Sequence, residues 1–126
     1  MKLLLDTHIL LWWLAEDNAL PTPAGEAIMD GATAVFVSAA SAWEISIKKS
    51  AGKLDVPDDL LEACEANEFD TVAITAGHAL AAGELPPHHN DPFDRMLIAQ
   101  ARLEAMTVVT VDRRFSEYDV DILSLR

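Results

Sequence analysis

Residues 1 to 8 read Met1-Lys2-Leu3-Leu4-Leu5-Asp6-Thr7-His8, and the apolar run Leu3 to Leu5 stops on an acid. A short, fully apolar run closed by a polar residue predicts a buried central strand. Asp6 then stands where that strand leaves its sheet. Ligands of open α/β sheets collect outside the carboxyl ends of the strands, which makes an acid at that point a site candidate. The competing reading is local: Asp6 or Thr7 caps the following helix and satisfies its free backbone N–H groups. Position alone does not choose between the two.

Working outward, His8 to Ala15 (HILLWWLA) is apolar on every helical face. Such a helix is either buried all round or covered by a partner. Thr22 as cap followed by Pro23 predicts the start of a second helix, which Gly31 stops. Ala34 to Val37 reads as the second strand. Ser38 caps a helix running to about Ser50, closed by Gly52. Val56 to Glu68 is a fourth helix, Thr71 to Ile74 a third strand, and Thr75 the cap of a short helix. Gly83 to Asn90 is a loop stiffened by Pro86 and Pro87. Asp91 caps a helix that has Pro92 first and Asp94 third and runs to about Ala105. Thr107 to Val111 is a fourth strand ended by Asp112, and Asp121 to Leu123 begins a short fifth. Strands alternating with helices predict a three-layer α/β/α sandwich on a parallel sheet of four to five strands.

The 126 residues suit one domain, and 51% apolar residues with a mean hydropathy of +0.15 argue against intrinsic disorder. The single Cys64 cannot form an internal disulfide, and no Cys/His framework suggests structural zinc. Asp6 interrupts any signal-peptide design, and no apolar run approaches the roughly 20 residues that cross a bilayer. The expectation is a soluble cytoplasmic protein with no membrane association. Its formal charge of −12 disfavours a general nucleic-acid coating role. A nuclease is still admitted, because its centre must be acidic in order to hold cations.

In this architecture the carboxyl ends of strands and the amino ends of helices share one edge. Asp6 and Asp112 end strands, Asp94 lies in the first turn of its helix, and Glu44 lies roughly 9 Å along the helix capped by Ser38. Each has an ordinary explanation: Glu44 an i to i+4 pair with Lys48, Asp94 the helix dipole, Asp112 a turn. Asp91 reads more readily as a cap than as a ligand. None of these explanations predicts that four acids converge. Packed together, four carboxylates repel and raise one another's pKa, and hard oxygen-seeking cations such as Mg²⁺ or Mn²⁺ relieve that repulsion. Metal-assisted phosphodiester hydrolysis fits. His88 and His89 are read as loop residues rather than ligands, and His8 and His78 as helix residues without a role.

The stretches LLLDTHILLW (Leu3 to Trp12), SAASAWEISIKKSAGKL (Ser38 to Leu54), LPPHHNDPFDRMLIAQA (Leu85 to Ala101) and TVVTVDRRF (Thr107 to Phe115) follow in an order and spacing that resembles PIN-domain nucleases. The likeness is strongest to VapC-type toxins of bacterial type II toxin–antitoxin pairs. It implies a Mg²⁺- or Mn²⁺-dependent endoribonuclease with an acidic quartet on Asp6, Glu44, Asp94 and Asp112. By the family pattern Asp6, Asp94 and Asp112 hold the metal, and Glu44 completes the site and orients water. Thr7 and Thr110 match the family's polar positions, whereas His8 stands where many PIN domains carry Asn. Thr7, Thr110, Lys48, Arg95, Arg113 and Arg114 are candidate RNA contacts, with salt bridging as the alternative for the basic residues. Implied partners are an RNA substrate, a cognate antitoxin with a basic tail, and a second copy in a homodimer. HILLWWLA offers a hydrophobic groove wall for the antitoxin. A PIN-like RNA-processing nuclease outside a toxin–antitoxin pair, a phosphoryl-transfer or receiver module, and a non-catalytic acidic binding module are the competing readings.

Overall fold

The computed structural model describes residues 1–56 and 58–125. Its centre is the opening stretch: β1 (Lys2–Leu5) pairs in parallel with β2 (Ala34–Ser38) on one side and β4 (Thr107–Val109) on the other. β3 (Asp70–Val72) pairs in parallel with β2, giving the order β3-β2-β1-β4. Alternation along β1 serves both faces of the sheet. Leu3 and Leu5 enter one apolar cluster with Ile9, Leu10, Ile28 and Ile45; Leu4 enters the other with Leu97, Ile98 and Phe115. All three leucines are fully buried, each contributing about 1.5–3 kcal/mol of apolar transfer.

Six helices, α1 (Thr7–Leu14), α2 (Thr22–Met29), α3 (Ala39–Ser50), α4 (Leu60–Ala66), α5 (Ala76–Glu84) and α6 (Pro92–Leu103), alternate with the strands. The caps are where local chemistry places them. Ser38 accepts from Ala40 N–H, Thr75 from His78 N–H, and Asp91 from the N–H groups of Phe93 and Asp94. α3 closes at Gly52 with φ +70°, a left-handed conformation glycine adopts without steric cost.

Several boundaries differ from expectation. α2 begins after Pro21 with no side-chain cap, so Thr22 is its first residue rather than its cap. α4 is shorter than Val56 to Glu68, and the Pro57 of that prediction lies outside the described residues. α5 runs through Gly83 to Glu84. α6 stops at Leu103, with Ala105 at φ 54° turning the chain away. β3 is Asp70–Val72, displaced towards the N-terminus from Thr71 to Ile74. β4 ends at Val109, and the fifth strand is reduced to one parallel bridge between Val108 and Ile122. The segment HILLWWLA is largely absorbed by the fold: Ile9 and Leu10 are buried, and Leu11, Trp12, Trp13 and Leu14 pack against the core.

Candidate active site

Asp6 follows β1 directly, its N–H extending the ladder to Val109 O at 3.1 Å. Both readings of this residue hold together. Oδ1 accepts from Ile9 N–H at 2.9 Å as the cap of α1, while Oδ2 accepts from the Thr110 hydroxyl at 2.5 Å. With 4% of its surface exposed, the carboxyl is held above its ordinary range by burial, an effect the Thr110 and Ile9 hydrogen bonds oppose. Thr7 does not cap. Its hydroxyl donates to Glu44 Oε1 at 2.6 Å and lies 3.1 Å from Ser41 Oγ.

Glu44 is 5% exposed. Its Oε2 accepts from Lys48 Nζ at 2.9 Å, so the i to i+4 pair forms, but around a buried carboxylate rather than on a solvated face. Asp94, in the first turn of α6, is pushed up to about 6: burial is the main cause, and the charge of Asp91 adds to it, as do those of Asp6 and Glu44. Asp112 is held below its usual range by the Arg114 guanidinium, which donates to Oδ1 and Oδ2 at 3.1 and 2.8 Å. Asp94 and Asp112 come together on the His89 ring, while Asp6, just past β1, and Glu44, on α3, lie outside that group but close enough for their charges to act on Asp94. Asp91 serves as a cap whose charge presses on Asp94.

His89, read from sequence as a loop residue, belongs to this centre. Its ring is fully buried, edge-on to Phe115 at 6.0 Å, with Nε2 2.8 Å from Asp94 Oδ2 and 3.3 Å from Asp112 Oδ2. Nδ1 accepts from Asp91 N–H at 3.2 Å. In the neutral ring the proton therefore sits on Nε2. Neither close approach satisfies hydrogen-bond geometry, which leaves a buried N–H facing two carboxylates without a settled partner. The donor atoms of His89, Asp94 and Asp112 lie within 4.8 Å of one another. With Nδ1 occupied as an acceptor, Nε2 offers a proton rather than a lone pair, so its fitting role is to orient the two carboxylates. The crowded, mutually repelling carboxylates are the oxygen donor set that a hard divalent cation takes.

Three expected RNA contacts have other work. Thr7 and Thr110 are buried and hold Glu44 and Asp6. The Arg95 guanidinium donates to five backbone carbonyls: Ala82, Gly83, Leu85, Pro86 and His89. It clamps the loop carrying His89, whose N–H in turn donates to the Tyr118 hydroxyl at 2.8 Å. Arg95→Met should cost about 3 kcal/mol, roughly 10 °C in Tm, by orphaning carbonyls that now accept charged hydrogen bonds. Thermal melts check this. Arg113 is exposed, and Lys48 and Arg114, though ion-paired to Glu44 and Asp112, keep part of their side chains at the surface. His78 is also not idle: it completes a capping box with Thr75, and its Nε2 lies 2.9 Å from Glu104 Oε1.

A raised carboxyl pKa has a definite sign for stability. Protonated Asp94 is favoured in the folded chain, so its contribution is full below its ordinary 3.8 and is lost as pH rises through about 6. Metal-free protein should gain on the order of 1–2 kcal/mol on acidification from pH 7.5 to 5, after allowance for screening on the open side. Asp94→Asn should remove most of this slope. Melts in chelator across that range provide the comparison.

Fold and site together define a parallel α/β protein with a cluster of acidic side chains at the carboxyl edge of its sheet. Residues 3–121 match the PIN domain, and the chain belongs to that family. It is 32% identical over 118 residues to Ribonuclease VapC22 of Mycobacterium tuberculosis, covering 91% of this chain and 90% of that protein. Its fold is that of the DNA-bound VapBC of Salmonella typhimurium, with TM-score 0.71, 19% identity, and 100% of this chain and 99% of that chain covered. It also matches VapBC2 of Rickettsia felis bound to a promoter DNA fragment, with TM-score 0.70, 15% identity and 98% of each chain covered.

Proposed function

We propose that this chain is a divalent-metal-dependent endoribonuclease and the toxin of a type II toxin–antitoxin pair. The observation that carries the reading is the convergence of Asp6, Glu44, Asp94 and Asp112, from four separate elements, on the edge where an α/β sheet binds its ligands. Kinship to a named ribonuclease across nine tenths of the chain supports the same activity.

Asp6, Asp94 and Asp112 are the residues that would hold Mg²⁺ or Mn²⁺, with Glu44 completing the site. A cation held there supplies Lewis-acid activation of water and neutralises charge developing on the phosphodiester. The chain's own groups do the positioning. Thr110 and the cap to Ile9 fix both oxygens of Asp6, so this ligand pays little entropy on binding. Thr7 and Lys48 each take one oxygen of Glu44 and leave further lone pairs to orient the attacking water. His89, with Nε2 2.8 and 3.3 Å from them, is placed to orient Asp94 and Asp112 by donating to one of the two. Lys48, Arg113 and Arg114 are the cations placed to meet RNA phosphate at the rim.

The partners follow the same reading: RNA as substrate, an antitoxin with a basic tail laid across an acidic toxin, and a second copy in a homodimer. An apolar groove of ≈ 370 Å³, lined by Val37, Ala42, Leu60, Leu61 and Val72 beside edge strand β3, suits an antitoxin helix. Among the described residues no helix is long and apolar enough to cross a membrane; action in the cytoplasm belongs to the toxin reading.

Millimolar Mn²⁺ should raise Tm by mass action, since the assembled carboxylates exist only in the folded chain; at 100 times Kd the gain is about 2.7 kcal/mol. Chelator should reverse the shift and stop RNA cleavage. Cleavage that persists in excess chelator contradicts the proposal.

A further inference from the structure

We propose that Trp43 and Phe93 form a stacking subsite for an RNA base beside the acid cluster. This rests on the ribonuclease reading and adds how the strand is held next to the cleaved bond. Trp43 immediately precedes Glu44 on α3, and Phe93 immediately precedes Asp94 on α6. The two helices pack together, and the rings meet edge to face with centroids 5.3 Å apart and planes at 79°. That contact orients the indole without covering it, and Trp43 keeps 61% of its surface exposed. Trp12 and Trp13, in contrast, pack against the core. A large aromatic left wet beside a polar, charged centre forgoes burial that a flat apolar ligand would restore.

Position and charge select the ligand. The rings meet where α3, which carries Glu44, packs on α6, which carries Asp94, so a base flanking a phosphodiester at those acids is within reach of the pair. Lys48 and Arg114 leave 42% and 59% of their side chains exposed, and the charges of Asp91 and Asp94 act on both. Aromatic faces combined with cations that track the backbone are how proteins hold single-stranded nucleic acid irrespective of sequence. Ile47, one helical turn beyond Trp43, is also exposed. It extends the apolar strip away from the acids, so a protein surface is the rival occupant for the experiment to separate.

Cleavage is silenced with Asp6→Asn, and affinity for a fluorescein-labelled single-stranded RNA oligomer is read by anisotropy, with sedimentation of each protein alongside. Adding Trp43→Ala to that parent should weaken binding about 5- to 150-fold, whereas Trp43→Phe should retain most of the affinity. Unchanged affinity in Trp43→Ala overturns the subsite. A change of oligomeric state with RNA affinity intact also overturns it and assigns the patch to a second copy. If the folded parent binds no RNA and the unmodified protein cleaves none, the ribonuclease reading fails and takes the subsite with it.

Discussion

Asp6→Asn should reduce metal-dependent RNA cleavage by about 10³-fold or more while leaving the fold in place. Asp6 is the proposed ligand on the central strand, and a metal that contributes several kcal/mol to the transition state cannot be held as well by a neutral amide. The amide keeps the structural duties. Its oxygen can still cap Ile9 N–H, and its NH₂ can donate to Thr110, whose hydroxyl then acts as acceptor. Removing one charge from a repelling, desolvated group should leave the metal-free variant as stable as the parent or more so. The diagnostic pattern is lost cleavage, an unchanged circular dichroism spectrum, an equal or higher Tm in chelator, and a much smaller Tm rise with Mn²⁺. Loss of cleavage accompanied by a lower Tm in chelator would instead mark Asp6 as a structural cap.

The second large effect is expected at His89, whose proposed role is to orient Asp94 and Asp112 rather than to hold the metal. Asn at this position can reproduce the atom that accepts from Asp91 N–H, but it does not extend to the two carboxylates. Gln can place an N–H near the location of Nε2. Partners that orient metal ligands are worth about 10- to 100-fold in metal affinity or activity. His89→Asn should fall in that range, and His89→Gln should recover part of the loss. Mn²⁺ titration by calorimetry and RNA cleavage measured in parallel should rank the proteins in the same order. Equal losses in both variants would indicate that ring packing on Phe115, rather than the N–H, accounts for the effect.

What was legible in the chain was what local chemistry decides. The Leu3 to Leu5 run identified the central strand because a strand buried on both faces needs apolar residues in succession. Ser38, Thr75 and Asp91 marked helix starts because each can satisfy backbone N–H groups within three residues. From these the shared edge follows, and with it the meeting of four acids. The illegible part depends on partners far along the chain. Thr7 faces Glu44 across 37 positions, and His89 is braced by Tyr118 across 29. Arg95 gave no sign that its donors clamp the backbone from Ala82 to His89. The doublet His88-His89 sits between two prolines and the DPFD motif, and composition there shows a loop. Only burial distinguishes His89 from exposed His88. The sequence places a partner-covered apolar surface in HILLWWLA, whereas among the described residues Trp43 is the tryptophan the fold leaves most exposed.

Asp6, Asp94 and Asp112, with Glu44 beside them, are proposed to form a divalent-cation site. Crystals grown or soaked in millimolar Mn²⁺ test it most directly through anomalous diffraction. A manganese peak is expected among the carboxylates of Asp6, Asp94 and Asp112, with the His89 ring next to it but not ligating. Acids free of anomalous density under those conditions, or manganese bound only elsewhere, would contradict the proposal.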